Sequence, residues 1–390
     1  MLSAQIRTNK YIILSDYMSF HSLTCQPPRC GFRVYEYTED ALDMAIFISP
    51  QYAEDRDILN VIDTYASAVK DDIGWNVGVV KVDKTQNRYD IIDEIIESLY
   101  QENPLKACMM VGEDMGKDLN IFTTSCNKKC DQSIVAWCTI GGTDAYEISP
   151  TCATQTVTSR LIISVPISLM YPNSDDLFVT KKAQILSAFN KFSNDRNIEY
   201  TDDILAFCDD SESIDVLEIL ENELPTIGDP EIIAKPYQST VDDALSGNYK
   251  MVSALGHAVP SSIRVSSGAH LAYFTARTHA ENVNTPFLLL FGCGVHGWFT
   301  GIDDICAYYP PIRTHNNWFG HTIFDNPNLR VIIAGFPTGA YARYGRDATG
   351  FLCSRCLAKM NDGVTIAEAM QNIWSHDSNE TLFGDPTFHY

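Results

Sequence analysis

The stretch PFLLLFGCG, residues 286–294, places a short apolar run directly before a cysteine that has a glycine on each side. Its five apolar residues, Phe287 to Phe291, are typical of a strand that is buried on both faces. Two similar runs flank it in sequence: KMVSAL at 250–255 leads into GHA at 256–258, and LRVIIA at 329–334 leads into GFPT at 335–338. Ligands of open α/β sheets bind beyond the carboxyl ends of the strands. If these strands are parallel, His257 and Cys293 face one crevice.

Apolar strands and amphipathic helices alternate over the rest of the chain, which is typical of α/β proteins with parallel sheets. The sequence predicts two open, mostly parallel sheets flanked by helices, with one subdomain over residues 1–170 and another over 171–390. Strands are predicted at 44–48, 77–82, 107–111 and 203–208, and helices at 56–71, 89–101, 177–193, 211–222 and 240–247. Residues 116–157 are predicted to form irregular loops.

The chain of 390 residues is strongly acidic, with a formal net charge of −22 and a sequence pI near 4.6. Binding to nucleic acid or to an anionic membrane surface needs clustered Lys and Arg, and the sequence has no basic run. We therefore expect no nucleic-acid partner and no membrane partner. A basic substrate or a divalent cation suits this charge better.

The lack of an apolar targeting or membrane-spanning stretch in this sequence predicts a protein that stays inside the cell. No apolar run approaches the roughly 20 residues that cross a bilayer, and the N-terminal residues contain no apolar stretch of signal-peptide length. The sequence thus predicts a cytoplasmic location. A chain of this size needs no disulfide framework, so most of its 12 cysteines are expected to be reduced and buried.

Cys293 and His257 have the residue types of a nucleophile and its proton-transfer partner. A thiol nucleophile needs a thiolate or a nearby base, an acid for the leaving group and backbone N–H donors for the oxyanion. The glycines beside Cys293 leave room for a peptide to approach. A buried structural cysteine beside a core histidine is the alternative, and the position of both residues at strand ends favours the functional interpretation.

Several motifs together resemble the gingipain family of cysteine peptidases, which have a caspase-like fold. They are GHA at 256–258, FGCG at 291–294 and LFGDPTF at 382–388, with MVGEDM at 110–115 and SRLIISVPIS at 159–168 upstream. The resemblance covers the chain from about Met44 to Tyr390 in the order of the family. It departs at Ala258 and Ser159, where the family has glycine. It implies a caspase-like catalytic subdomain and a related N-terminal α/β subdomain.

By this resemblance the chain is a cysteine endopeptidase that acts on polypeptides through a Cys293–His257 dyad. The dyad needs no cofactor. Backbone groups at Cys293 and Ala258 are the preferred oxyanion donors, with Gly256 and Gly294 as flanking candidates. Family members are mostly exported, which stands against the location predicted above. Oligomeric state is left open.

The resemblance also implies cleavage after basic residues, which the acidic composition suits. Candidate residues for the substrate pocket are Asp209, Asp210, Asp303, Trp298 and Phe336. Aspartates of this group are also candidate ligands of a structural Ca²⁺ ion, since Ca²⁺ prefers carboxylate oxygens. Alternatively, each aspartate is only a solvated carboxylate in a loop. Trp298 and Phe336 would then only cover the edge of the sheet.

Other functions remain open from the sequence. GCGVHG at 292–297 matches a dinucleotide-binding pattern, but the helix that should start inside it is interrupted by two prolines at 310–311. A zinc site is a further alternative, because zinc binds cysteine and histidine and the four ligands could be Cys293, His296, Cys353 and Cys356. The last two, however, are predicted to lie within a helix. His270, 279, 296, 315 and 321 are alternative bases. Finally, an inactive scaffold or interaction protein could keep the caspase-like fold.

Overall fold

The structure is a computed structural model of the whole chain, and its description here rests on a defined set of residues. These are residues 11–14, 34–35, 41–82, 84, 89–112, 115, 161–162, 164–172, 176–194, 196, 201–209, 221, 224–259, 261–267, 271–292, 319–335, 358–360, 362–371, 374–375 and 381–390.

Seventeen strands lie within the described residues. They are β1 (Tyr11–Leu14), β2 (Val34–Tyr35), β3 (Met44–Ile48), β4 (Val77–Lys81), β5 (Ala107–Val111), β6 (Leu161–Ile162), β7 (Ile167–Met170), β8 (Asp203–Cys208), β9 (Asp229–Ala234), β10 (Met251–Leu255), β11 (His257–Val259), β12 (Ser262–Ser266), β13 (Ala272–Thr275), β14 (Phe287–Phe291), β15 (Val331–Gly335), β16 (Trp374–Ser375) and β17 (Thr381–Gly384).

Helices connect and cover these strands. The α-helices of the described residues are α1 (Arg56–Ile73), α2 (Tyr89–Glu102), α3 (Phe178–Asn194), α4 (Gln238–Asp243), α5 (Thr322–Asp325), α6 (Ala358–Met360) and α7 (Ile366–Met370). Short 3₁₀-helices span Leu224–Thr226, Ala244–Ser246 and Phe319–His321, and a π-helix spans Ala276–Ala280. None of these helices combines the length and the apolar character needed to cross a membrane.

Most predicted elements are confirmed, and the predicted α/β fold with mostly parallel strands is the fold observed. The predicted strands at 44–48, 107–111 and 203–208 have the same bounds as β3, β5 and β8. The predicted helix at 240–247 is α4 followed by the 3₁₀-helix Ala244–Ser246. The predicted loops at 116–157 and nearly all of the predicted helix at 211–222 lie outside the described residues.

The strands of the two predicted subdomains form one continuous sheet in the described residues, where the sequence predicts two sheets. Its order is β2-β1-β4-β3-β5-β7-β17-β15-β14-β10-β8-β9. The strands up to β7 precede residue 171, and those from β17 onward follow it. The two groups meet where β17 runs parallel to β7, and the buried Ser168 hydroxyl donates to the Gly384 carbonyl across this seam.

Strand direction reverses just beyond the seam. β17 is antiparallel to β15, and β15, β14, β10, β8 and β9 are mutually parallel. On the other side β1, β4, β3, β5 and β7 run parallel to one another and to β17. The carboxyl ends of the two groups therefore lie at opposite edges of the sheet. β10 and β14 end at the same edge.

A buried polar network around Asp385 ties the C-terminal segment to helices α1 and α3. One Asp385 carboxylate oxygen accepts from the Tyr65 hydroxyl at 2.6 Å and from the Thr387 hydroxyl at 2.6 Å, and the other accepts from Arg196 at 3.2 Å. Arg196 also donates to Asp72 at 2.7 Å. Burial and the neighbouring Asp385 raise the pKa of Tyr65 well above its usual value, which keeps the phenol a donor. The Gly-Asp-Pro segment at 384–386 therefore has a structural role, because its aspartate is the centre of this network.

A second, three-stranded antiparallel sheet, β11-β12-β13, packs beside the carboxyl ends of β10 and β8. Its inner side is apolar, and Phe274 packs against Phe207 and Phe319 with ring centroids 6.4 and 6.1 Å away. The sequence analysis did not predict this sheet. It begins at His257, so it carries the candidate base.

Candidate active site

The strands that precede His257 and Cys293 are direct neighbours. β10 pairs with β14 in parallel, with Leu255 opposite Phe291, and the N–H of Gly256 donates to the Phe291 carbonyl at 3.1 Å. The two strands are thus parallel, which is the condition on which the sequence analysis based its prediction of a shared crevice. Because the N–H of Gly256 makes this hydrogen bond, it belongs to the hydrogen bonding of the sheet and is not available as an oxyanion donor.

Gly292 continues β14 into close contact with the residues around His257. A Cβ atom on Gly292 would overlap both the Gly256 carbonyl oxygen and the Cβ of Ala258, and would lie 3.3 Å from the Ala258 nitrogen. Only glycine fits at this position without a shift of the backbone. The described chain stops at Gly292, because Cys293 and Gly294 lie outside the described residues. Position 293 therefore follows a residue that touches the GHA segment.

His257 is the first residue of β11, and its side chain is exposed. In the register of the small sheet it lies opposite Arg264 of β12, which in turn lies opposite Tyr273 of β13. The backbone at Arg264 crosses tightly over Gly256, where a Cβ atom would overlap the Arg264 carbonyl oxygen. This close packing fixes the start of β11 over the end of β10.

Asp209, a substrate-pocket candidate from the sequence, lies directly after β8 with a carboxylate that is 1% exposed. Its backbone N–H donates to the Leu255 carbonyl at 3.2 Å. One carboxylate oxygen accepts from the Ser267 hydroxyl at 3.0 Å, and the other lies 3.6 Å from Nε of Arg264. Asp209 therefore holds β12 against the strand ends through an ion pair.

Two of the alternative histidine bases have both ring nitrogens in hydrogen bonds. Nδ1 of His279 accepts from the Thr275 backbone at 3.0 Å, and its Nε2 bonds Asp242 at 3.0 Å. His321 bonds Asp325 at 2.9 Å and Gln184 at 3.2 Å. Both rings are buried, and these bonds give them structural roles.

The remaining sequence-predicted residues cannot be placed in this geometry. Those that lie outside the described residues are Asp210, His270, His296, Trp298, Asp303, His315, Phe336, Cys353 and Cys356. Among the residues that are described, no group of three or more His, Cys, Asp or Glu side chains is arranged to hold a metal ion. Two described cysteines, Cys108 and Cys208, are buried thiols within strands β5 and β8.

Arg264, Ser267 and Tyr273 are site neighbours that the sequence analysis did not single out. The only signal for them is the alternation in SIRVS at 262–266 and LAYFT at 271–275, which is typical of half-exposed strands. That pattern indicates a sheet with one solvent-exposed face. It does not say that this face borders the candidate base.

Two solved structures have a fold similar to that of this chain. The crystal structure of the Arg-specific cysteine proteinase gingipain R matches 90% of this chain and 79% of its own chain, with a TM-score of 0.52 and 17% identity. The chain has a gingipain-like fold. A complex of the pro- and mature domains of RgpB from Porphyromonas gingivalis matches 89% of this chain and 79% of its own, with a TM-score of 0.53 and 18% identity.

Comparison at the level of sequence adds nothing to the gingipain-like fold. No protein-family model matches the chain, and no curated protein sequence matches it. The likeness therefore concerns the architecture.

Proposed function

We propose that this protein is a cysteine endopeptidase whose nucleophile is Cys293 and whose proton donor is His257. The observation that carries the proposal is the contact between Gly292 and the GHA segment. It supports a nucleophile at 293 next to the exposed imidazole. The gingipain-like fold supports the same reaction class.

The proposed reaction is acyl transfer in two halves. The Cys293 thiolate attacks the scissile carbonyl carbon, and the C–N bond breaks as His257 donates a proton to the leaving amine. Water then attacks the thioester while His257 takes up its proton, and the C–S bond breaks, which releases the carboxylic acid and restores the Cys293 thiolate beside a protonated His257. We assign the oxyanion to the N–H groups of Cys293 and Ala258, since the N–H of Gly256 is bonded to Phe291.

We further propose that the residue before the cut is basic. The net charge of −22 supports this preference, as does the described arginine specificity of one structural neighbour. The side chain of Asp209 is only 1% exposed, so Asp210 and Asp303 are the acidic candidates for the pocket. Ca²⁺ dependence is part of the same proposal and is tested with it.

Cleavage of short fluorogenic peptides that vary at the residue before the cut tests the proposal. The wild type, Cys293→Ala and His257→Ala are compared with and without Ca²⁺, and Cys108→Ala serves as a control at a buried thiol of the other half. We expect turnover after Arg or Lys, loss of turnover in Cys293→Ala, and a loss of about 10²- to 10⁴-fold in His257→Ala. Full activity in either dyad variant would overturn the proposal.

A further inference from the structure

The outer face of the small sheet carries an exposed row of three side chains that starts at the candidate proton donor. His257, Arg264 and Tyr273 lie opposite one another across β11, β12 and β13. We call these three residues the exposed row. Arg264 is 29% exposed in its side chain, and Tyr273 is 39% exposed. The neighbouring inner residues Ile263 and Phe274 are fully buried, so the two faces differ sharply.

The exposed row extends from His257 on the side away from the candidate nucleophile. β14, which leads to Cys293, lies on one side of β10, and β8 lies on the other. β12 packs against β10 and β8, and Arg264 reaches Asp209 directly after β8. Arg264 and Tyr273 are therefore on the β8 side of His257. In the proposed reaction this is the side of the leaving amine, because His257 protonates that amine.

The length of the exposed row matches a few residues of extended peptide. Neighbouring strands are spaced about 4.8 Å apart, so the row is about 10 Å long, and an extended chain advances about 3.3 Å per residue. The row therefore spans about three residues after the cut. Strand addition is blocked at its far end, because the side chain of Gln238 accepts from the Tyr273 N–H at 2.8 Å and donates to the Tyr273 carbonyl at 3.2 Å. Recognition there has to use side chains.

Charge and apolar surface indicate what those side chains are. The cationic Arg264 side chain is 29% exposed, although its Nε is buried, and the side chain of its partner Asp209 is only 1% exposed. The surface around the row is apolar: Val259, which shares β11 with His257, is 38% exposed, and Leu271, Tyr273 and Tyr237 are 55, 39 and 57% exposed. They make up four of the seven exposed large hydrophobic side chains among the described residues.

We propose that the exposed row binds the part of the peptide that follows the scissile bond, with Arg264 selecting an acidic side chain at the first or second residue after the cut. This inference rests on the proposed peptidase function. Tyr273 and its apolar neighbours contact the residue that follows the acidic one. Arg264 is thus a specificity-determining residue, and Asp209 positions it.

Internally quenched peptides that differ only after the cut test this assignment. They carry Asp, Asn or Lys at the first or second position after the cut. We expect the wild type to prefer Asp over Asn by about 5- to 10-fold in kcat/KM, about 1 to 1.4 kcal/mol. The preference should fall below about 2-fold in Arg264→Gln and persist in part in Arg264→Lys. Arg277→Gln, which removes an exposed arginine just beyond β13, should keep it.

A wild type that treats Asp, Asn and Lys alike at both positions would overturn the inference, and so would an unchanged preference in a folded Arg264→Gln. If Arg264→Gln does not fold, the comparison among peptides in the wild type and Arg264→Lys still decides. Fluorogenic amides that have no residue after the cut separate the two proposals, because their turnover requires only the dyad.

If the wild type cleaves none of the peptides, the proposed function fails, but a binding assay can still test the inference about Arg264. Fluorescence anisotropy of labelled peptides on Cys293→Ala measures affinity without turnover. Tighter binding of the Asp peptide than the Asn peptide, lost in Cys293→Ala with Arg264→Gln, supports the inference. Equal binding of the Asp and Asn peptides contradicts it.

Discussion

Gly292 lies in contact with Ala258, so closely that a side chain on Gly292 would occupy the space of the Ala258 Cβ. The contact joins the end of β14 to the strand that begins at His257. A Cys–His dyad needs its two residues close together, and the proposed dyad residues each follow directly on this contact in sequence or belong to the strand that makes it. The glycine before Cys293 is therefore explained by a close approach of two strand ends.

Gly292→Ala should reduce peptidase activity by about 10²-fold, because the added methyl group forces apart the strand ends that position the dyad. Overpacking of this kind also costs about 1–3 kcal/mol of stability. The measurements are kcat/KM on the best fluorogenic peptide and the free energy of unfolding in urea. Gly363→Ala is the control, since a Cβ there meets nothing within 4 Å although φ is +77°. It should lose stability but keep its activity, and full activity in Gly292→Ala would contradict the account of this contact.

The Asp385 network predicts two graded losses of stability. Asp385→Ala removes the partner of a buried arginine and should cost about 3–5 kcal/mol. Tyr65→Phe removes the buried hydrogen bonds of the Tyr65 hydroxyl with Asp385 (2.6 Å) and Thr387 (3.1 Å) and should cost about 1–2 kcal/mol. Urea unfolding measures both, with Tyr100→Phe on α2 as the control. A loss below 1 kcal/mol in Asp385→Ala would show that the network does not hold the C-terminal segment.

The raised pKa of Asp93 predicts that the stability of the protein depends on pH. Burial, helped by Glu97 and Glu94, raises the pKa of Asp93 to about 7. Since the folded pKa exceeds the usual Asp value of 3.8, the folded state binds this proton more tightly. Its contribution is complete below about pH 4 and is lost as the pH rises through 7.

Asp93→Asn should therefore match the wild type near pH 4 and be more stable above pH 7, by on the order of 1 kcal/mol after allowance for solvent screening. Urea unfolding at several pH values measures the difference. Glu102→Gln, an exposed change at the end of the same helix, should show no such gain. A constant difference between Asp93→Asn and wild type at all pH values would refute the assignment.

Much of the fold is predictable from sequence because several of its central strands are continuous apolar runs. MAIFI and FLLLF are fully buried in β3 and β14, as their composition predicts. The parallel pairing of β14 with β10 places Phe291 and Gly292 beside the GHA segment. Residue types and strand geometry suffice to predict this part of the fold.

The small sheet was missed for a physical reason. β11 is only three residues long, and it begins directly after Gly256, where the chain already looks like a loop at a strand end. Its partners β12 and β13 alternate weakly, and what holds β12 in place is the contact of Arg264 with Asp209, which is distant in sequence. The join between the two halves was missed similarly, since β17 is a short strand whose neighbour β7 lies over 200 residues earlier.

The most direct test of the central claim is covalent labelling by a peptidyl chloromethyl ketone that ends in arginine, followed by mass-spectrometric mapping of the modified residue. The account predicts one modified residue, Cys293, with labelling at least about 10-fold slower in His257→Ala and unchanged in Arg277→Gln. Labelling of a different cysteine, or labelling of Cys293 at the same rate without His257, would contradict it.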